Sequence, residues 1–418
     1  MVILIPIFSD AFLHPLHKNN KLSLLYIRHI GDNKGKMICI NHPDCLDKDS
    51  IDDIKNDHIN LYVTPDVKSI KHIFPDTRLI DVKYLNWERY NTPLQFEDIA
   101  LNAYDFMNSK YYNVNKLNEI IPFTKHKEYC DLVFKKMRDS FDTLCESKYH
   151  HDVINAFSLI EKNGVKVTDD VCDIFDERVR KHISNSKLYS NYNLWTSTGR
   201  PSNSFGSVNF AALTQEHKKA FIPENDSLVE FDFDAYHLRL IGDLVEYDFG
   251  KDSVHEHLAE HYGCSYEESK QRSFKLLYGG IDKETRKKVQ FFNKVHNYIN
   301  IKWKEFNEKK YVKTDIYSRK LLFDNYINMN RTKLFNYLIQ AYETESNINK
   351  INKLHIYLQN KKTNLVLYCY DSFLFDFNKK DGVETLVEIK DILEENKHYT
   401  KSKMGLNYAE MVNITERL

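Results

Sequence analysis

The sequence predicts a mixed α/β (α+β) fold, and three observations predict it. Over roughly the first 120 residues, short apolar runs alternate with helix-like stretches, as they do in an α/β layer. From about residue 123 to residue 182 the pattern turns helical, with charged faces such as Lys-Lys-Met-Arg (135–138) and Glu-Arg-Val-Arg-Lys (177–181). From about residue 189 strands and helices mix again to residue 418. In chain order, strands are expected at Val2–Phe8, Lys21–Ile30, Lys36–Asn41 and Leu61–Thr64. A helix is expected over Ser50–Asn56, and another starts near Asp66, where Thr64-Pro65-Asp66 supplies a turn and a cap. The three stretches 1–122, 123–195 and 196–418 are the expected domains.

Composition narrows the function classes. Apolar residues make up 42% of the 418 and charged residues 28%, enough for a sizeable core and unlike a disordered chain. Lys and Arg total 59 against 60 Asp and Glu, a formal net charge of -1, which excludes a wholly cationic nucleic-acid coat but leaves room for a local basic groove. No apolar run reaches the roughly 18 residues of a membrane span. The opening Met1–Asp10 lacks a basic segment and a small-residue cleavage site, so it reads as a first strand rather than a signal peptide. The expectation is a soluble, cytoplasmic protein. The seven cysteines are odd in number and form no Cys-x-x-Cys pair, which argues against a disulfide framework or a zinc site and for small apolar residues in a reducing compartment. Repeats are absent, and with 12 Gly and 9 Pro no flexible linker marks a boundary.

One stretch is clearly cationic. Residues 283–320 carry twelve Lys and Arg against four Asp and Glu, with Phe291, Phe292, Tyr298, Trp303, Phe306 and Tyr311 interleaved. Such a pattern suits either a solvated amphipathic helix pair or a surface that tracks phosphates and stacks on bases.

Three segments carry chemistry. In Leu228–Leu240 a β run ends at Asp232 before a helical pattern begins, and an acid at a strand end can hold a hard divalent cation. In Leu365–Phe377 two apolar strands flank Tyr370-Asp371-Ser372, which presents Asp371 at a hairpin tip. Two such acids brought together could clamp two metals about 4 Å apart for in-line phosphoryl transfer, although each alone also suits a turn. Between them, Lys270, Phe274 and Tyr278 fall at i, i+4 and i+8, one face of a helix that Gly279 and Gly280 would end. A cation followed by two aromatics suits a triphosphate beneath a stacked base; an aromatic core stripe has the same spacing.

Together these segments resemble a family A (DNA polymerase I-like) DNA polymerase. Asp232 matches the motif A aspartate and Arg239 its later arginine, while Lys270, Phe274, Tyr278 and Gly279 match Lys-x-x-x-Phe/Tyr-x-x-x-Tyr-Gly. Tyr370-Asp371-Ser372 stands in place of the His-Asp-Glu of motif C. In the same order along the chain, Thr196–Ser202 resembles the Thr-x-Thr-Gly-Arg-x-Ser stretch, and Lys218–Pro223 the lead into motif A. Ser253–Glu256 resembles the Asp-x-His segment, Phe335–Gln340 matches Phe-Asn-x-x-x-Gln, and Gly405–Met411 resembles the end of the palm.

The resemblance implies a right-hand polymerase preceded by a degenerate RNase H-like, exonuclease-type domain. It makes 1–122 that inactive domain, 123–195 a reduced thumb and 196–418 palm and fingers, with the fingers at about 250–330. It implies two Mg²⁺ ions, with Mn²⁺ as a substitute, on Asp232, the Phe233 carbonyl and Asp371. His237, His255, Lys270, Phe274 and Tyr278 would serve the incoming dNTP, and Arg200, Asn336, Gln340 and Tyr370 the primer-template DNA. A processivity partner is a further expectation, and compactness with abundant Lys, Asn, Ile and Tyr suggests a viral or phage source working in host cytoplasm.

The departures are specific. Tyr266 stands where the family has a triphosphate arginine, Ser372 replaces an acid, Tyr370 a histidine, and His237 the glutamate that blocks a ribose 2′-hydroxyl. In the amino-terminal segment Phe12 stands where an exonuclease needs the glutamate of Asp-x-Glu, and Asp66 and Asp81 read as cap and turn residues. Between the Gly164-Val165 turn and Thr196, one helix over Asp169–Ser184 is expected instead of a two-helix thumb. Two alternatives stay open: a single-subunit RNA polymerase, and a catalytically silent DNA-binding subunit on a polymerase fold.

Overall fold

The computed structural model describes residues 1–10, 13–96, 123–140, 147–203, 208–323 and 328–418. The chain divides into two compact units, Met1–Ser158 with Lys181–Asn185, and Leu159–Arg180 with Ser186–Leu418.

The first unit is built on a five-stranded sheet of order β3-β2-β1-β4-β5, from β1 (Val2–Phe8), β2 (Leu22–His29), β3 (Lys36–Cys39), β4 (Tyr62–Thr64) and β5 (Leu79–Asp81). β1 runs antiparallel to β2 and parallel to β4, and β4 runs parallel to β5. The apolar run Val2–Ile5 is buried throughout, as a central strand must be. Pro6 is tolerated there because β4 pairs only with Val2 and Ile3, so its missing N–H faces no partner. All four expected strands sit within two residues of their predicted bounds; β5, only three residues long, carries too little periodicity to be read.

Short helices α1 (Asp52–Lys55), α2 (Val67–Ile70) and α3 (Val82–Tyr90) follow the strands. Asp66 caps α2 by accepting from the Ser69 N–H, and Asp81 caps α3 by accepting from the Tyr84 N–H at 2.8 Å. Both acids are therefore committed to backbone donors, in the roles expected of them. Asp10 also serves a turn, accepting from the Leu13 N–H, while Phe12 lies outside the described residues.

Two expectations are corrected in this unit. Helix α4 (Phe123–Asp139) does not open a separate helical segment at residue 123. Its stripe His126, Cys130, Val133, Phe134 and Met137 joins the core of the sheet, with Tyr26 donating to Asp131 at 2.6 Å. The sheet face is the cover that this amphipathic helix requires. The cysteines are not all unpaired either: Cys39 and Cys45, with Cα atoms 6.3 Å apart, form a disulfide.

The division between units falls inside α5 (Lys148–Asn163). Gly164 follows it with φ +62°, and a side chain there would press on the Tyr189 ring, so the helix ends where the Gly-Val turn predicts. The next segment departs from expectation. Instead of one helix over Asp169–Ser184 it holds a 3₁₀ turn at Asp169–Asp173 and the four-residue α6 (Glu177–Arg180). Phe175 is drawn into a ring contact with Phe221 at 5.9 Å, and Asp176 starts a fresh turn by accepting from the Val179 N–H at 3.1 Å. Short strands β6 (Val165–Lys166), β7 (Lys187–Leu188), β8 (Tyr192–Asn193) and β9 (Ser202–Asn203) complete the region.

The centre of the second unit is an antiparallel sheet of order β13-β14-β10-β15-β16. Its strands are β10 (Ser227–Phe233), β13 (Asn364–Cys369), β14 (Ser372–Phe377), β15 (Thr400–Gly405) and β16 (Met411–Asn413). After α7 (Gln215–Lys218) and β10 come α8 (Tyr236–Leu244), α9 (Val254–Tyr262) and α10 (Tyr266–Gly279), the last opened by a capping box of Ser265 and Glu268. They lead to α11 (Lys283–Lys288), α12 (Gln290–Lys309), the hairpin β11 (Val312–Lys313) and β12 (Lys320–Leu321), the 28-residue α13 (Arg331–Leu358), and α14 (Val383–Leu393).

The cationic stretch is only partly a surface. Phe291, Phe292 and Phe306 are buried in apolar clusters, so they are core residues and not a stacking platform. Arg319 is buried against Glu345, and Lys288, Lys302 and Lys309 pair with Glu284, Asp315 and Glu305. Among the described residues no helix is long and apolar enough to cross a membrane.

Candidate active site

The two aspartates meet because of strand register. β10 and β14 pair with Asp232 opposite Ser372, and beyond that pair the Phe233 N–H donates to the Asp371 carbonyl at 2.9 Å. The hairpin tip is tight. Tyr370 sits at φ +62°, a conformation that costs a non-glycine residue roughly 1 kcal/mol or more. Asn347 of α13 holds it by donating to the Tyr370 carbonyl at 2.8 Å.

Burial pushes the Asp232 carboxyl up to about 6, and the charges of Asp371 and Glu230 push the same way against Lys403 and Lys401. Asp371 is also raised, first by burial and then by Glu343, with Arg200 and His237 drawing it down. Two adjacent carboxylates that resist ionising together form a donor set a divalent cation relieves, so Asp232 and Asp371 fit a hard metal. Among the described residues no group of three or more His, Cys, Asp and Glu gathers as a metal cluster.

A second group surrounds Glu343, a fully buried acid on α13. Arg200 pairs with it at 2.8 Å and lays its guanidinium 3.8 Å over the Tyr370 ring. His237 on α8 lies 3.5 Å from the same carboxylate. The expected partner of His237, the Tyr278 side chain, lies outside the described residues. Thr198 donates to Gln340 at 3.3 Å, tying the Thr-x-Thr-Gly-Arg segment to α13. Asn336, one turn earlier, lines a cavity of about 630 Å³ with Asn330, Arg331, Thr332 and Lys333, and its buried Oδ1 has no hydrogen-bond partner among the described residues.

A third group stands on α9 and α10. Ser269 and Ser273 face inward on α10 while Lys270 and Phe274 face outward, Phe274 being 37% exposed, so these two positions are not core. His255 is buried, with its ring 5.6 Å from Tyr266 and 6.2 Å from Phe274. Burial lowers its pKa, Asp234 opposes that, and Lys270 and Lys401 add to it. Arg239 works structurally: its guanidinium donates to the carbonyls of Asp234, Gly250 and Asp252, clamping the start of α8 to the loop before α9.

Sequence reasoning missed several members. Glu343 and Asn347 continue the spacing of Asn336 and Gln340 along one helix face, at i+7 and i+11, a signal that was there to be used. Lys401 and Lys403 alternate on β15 opposite Asp232 and Glu230. Glu230 accepts from Ser372 at 3.0 Å and from Tyr408 at 2.9 Å, so a third carboxylate neighbours the Asp371 hairpin tip.

The structure is similar to the POL domain of Pol1 from M. smegmatis, solved in complex with DNA primer-template and dNTP, with a TM-score of 0.69 at 11% identity over 98% of this chain and 95% of that one. No family model and no curated protein matches the chain. At that identity the likeness is one of fold: the chain has the mixed α/β fold of a polymerase domain.

Proposed function

We propose that this chain is a template-directed DNA polymerase that adds dNTPs to a primer 3′-hydroxyl. The observation that carries the proposal is the placing of Asp232 and Asp371 beside each other at one sheet end, on a fold similar to a polymerase domain. Asp232, the Phe233 carbonyl and Asp371 would hold Mg²⁺, or Mn²⁺ in its place; when bound, the ions supply charge stabilisation for in-line transfer. Lys270 and His255 bind the triphosphate, and Phe274 and Tyr278 bracket the nucleotide. Arg200, Gln340, Asn336 and Tyr370 hold the primer-template on the minor-groove side, where all base pairs present similar acceptors. Arg200 is preset for this by Glu343 and Tyr370. Primer extension with dNTPs or rNTPs in Mg²⁺ tests the reading: templated dNTP addition is expected. Preferential rNTP addition would favour the RNA polymerase alternative, and no addition the silent subunit.

His237 serves as the sugar gate, positioned by Glu343. His237→Ala is expected to relax the dNTP-to-rNTP preference, measured as a ratio of kcat/KM. An unchanged ratio would remove His237 from this role.

The amino-terminal unit is a structural remnant of an exonuclease. Its strand order β3-β2-β1-β4-β5, with only β2 reversed among the inner strands, supports an RNase H-like origin. Asp66 and Asp81 serve as caps, and burial, then Asp66, pushes Asp81 up to about 7, away from the ionised form a metal needs. A mismatched primer incubated without dNTPs should keep its length; steady shortening would show a working nuclease.

A further inference from the structure

Lys401 sits directly across from Asp232 in the β10–β15 register, and the two-residue strand period puts Lys403 on the same face beside Glu230. The two lysines differ in surroundings. Lys403 lies 3.6 Å from Glu230, itself anchored by Ser372 and Tyr408. Lys401 reaches the other way, pairing with Asp234 at 2.6 Å while its side chain stays 56% exposed. A half-exposed lysine pair of this kind is weak because water screens it, so its cation can be re-engaged at little cost.

Cationic and donor groups meet here beside the Asp232 and Asp234 carboxylates. The charge of Lys401 bears on Asp232, on Tyr266 at the start of α10, and on the His255 ring, which also senses Lys270. The buried Nδ1 of His255 has no hydrogen-bond partner among the described residues. Tyr266, which stands where the resemblance implies a further triphosphate cation, lies 5.6 Å from that ring.

We propose that Lys401 is a triphosphate-binding residue of the nucleotide site, moving its ammonium from Asp234 to the phosphates as the nucleotide arrives. A second cation besides Lys270 of α10 is thereby supplied by β15, from beside Asp232. This inference rests on the polymerase reading above for the identity of the ligand, but the phosphate site itself can be tested separately.

The full-length protein is titrated with inorganic tripolyphosphate by calorimetry in chelator, and KM and kcat for dNTP are measured on primed template with Mg²⁺. A charge-assisted contact is worth roughly 1.5–3 kcal/mol, so Lys401→Ala should weaken tripolyphosphate binding and raise KM by about 10-fold or more, with kcat changed less. Lys401→Arg should restore most of both. Asp234→Asn, which releases the lysine without removing it, should leave both within about 3-fold or tighten them. Unchanged affinity and KM in Lys401→Ala, or the full loss in Asp234→Asn, would overturn the proposal, the latter by making Lys401 a strut. Tripolyphosphate binding lost in Lys401→Ala while the wild type fails to extend primers would sink the polymerase reading and leave the phosphate site standing. Extension by the wild type, with tripolyphosphate affinity and KM unchanged in Lys401→Ala, would do the reverse.

Discussion

Purified Asp232→Ala and Asp371→Ala proteins are expected to lose nearly all nucleotide addition on a primed template, while remaining folded. Each substitution removes one of the two carboxylates that β10 and the β13–β14 hairpin bring side by side. Losing a group that compensates transition-state charge costs roughly 3–4 kcal/mol, a rate loss of about 10²–10³-fold or more. Extension by either variant at more than about a hundredth of the wild-type rate would sink the assignment. Stability provides a control with the opposite sign. The Asp232 carboxyl titrates at about 6 against an ordinary 3.8, so the folded state resists its ionisation. That penalty is absent below the ordinary value, grows as pH rises toward 6, and is complete above it. It amounts to about 2–3 kcal/mol, at 1.36 kcal/mol per pH unit of displacement. In chelator at pH 8, Asp232→Asn should therefore melt a few degrees higher than wild type, and at pH 3 the two should coincide. Added Mg²⁺ should raise the melting temperature of wild type but not of the variant. A destabilised Asp232→Asn would mean that Asp232 is a structural residue.

The second large effect concerns grip on DNA. Residues 168–195, where the resemblance calls for two long helices, hold one 3₁₀ turn, one four-residue helix and two short strands. A segment of that kind offers few phosphate contacts, and we propose that it is a reduced thumb. Each lost contact removes counterion release, so the complex should dissociate fast and its affinity should be low at physiological salt. The basic surface of α11 and α12 is a poor substitute, since several of its lysines are paired and three of its aromatics are core. In single-hit primer extension with a heparin trap, products should end within a few nucleotides of the primer. Runs of hundreds of nucleotides by the isolated chain would show that the grip lies elsewhere, while recovery of long products on adding a partner fraction would identify a borrowed one.

Much of the site was legible because its parts are local. The outward face of α10 follows from helical spacing, with Ser269 and Ser273 buried between exposed Lys270 and Phe274. Asp66 was readable as a cap from Thr64-Pro65-Asp66, and Val2–Phe8 as a strand from its apolar run. The helix expected over Asp169–Ser184 failed for a tertiary reason: Phe175 packs on Phe221, and Asp176 caps a new turn. Phe291 and Phe292 were ambiguous because an aromatic beside a lysine has the same spacing whether it faces DNA or a core.

By itself, then, the sequence determined the strand ends that carry Asp232 and Asp371, the turn that exposes Asp371, and the helix that presents Lys270 and Phe274. Each depends on residues close along the chain, where period, capping and turn chemistry act. Only the tertiary structure decided that Asp232 lies between Ser372 and Lys401, that Glu343 pairs with both His237 and Arg200, and that α4 belongs to the first sheet. Those pairings join residues far apart in sequence. They are set by β register and by the need to cover apolar faces and buried charge, which no local pattern encodes.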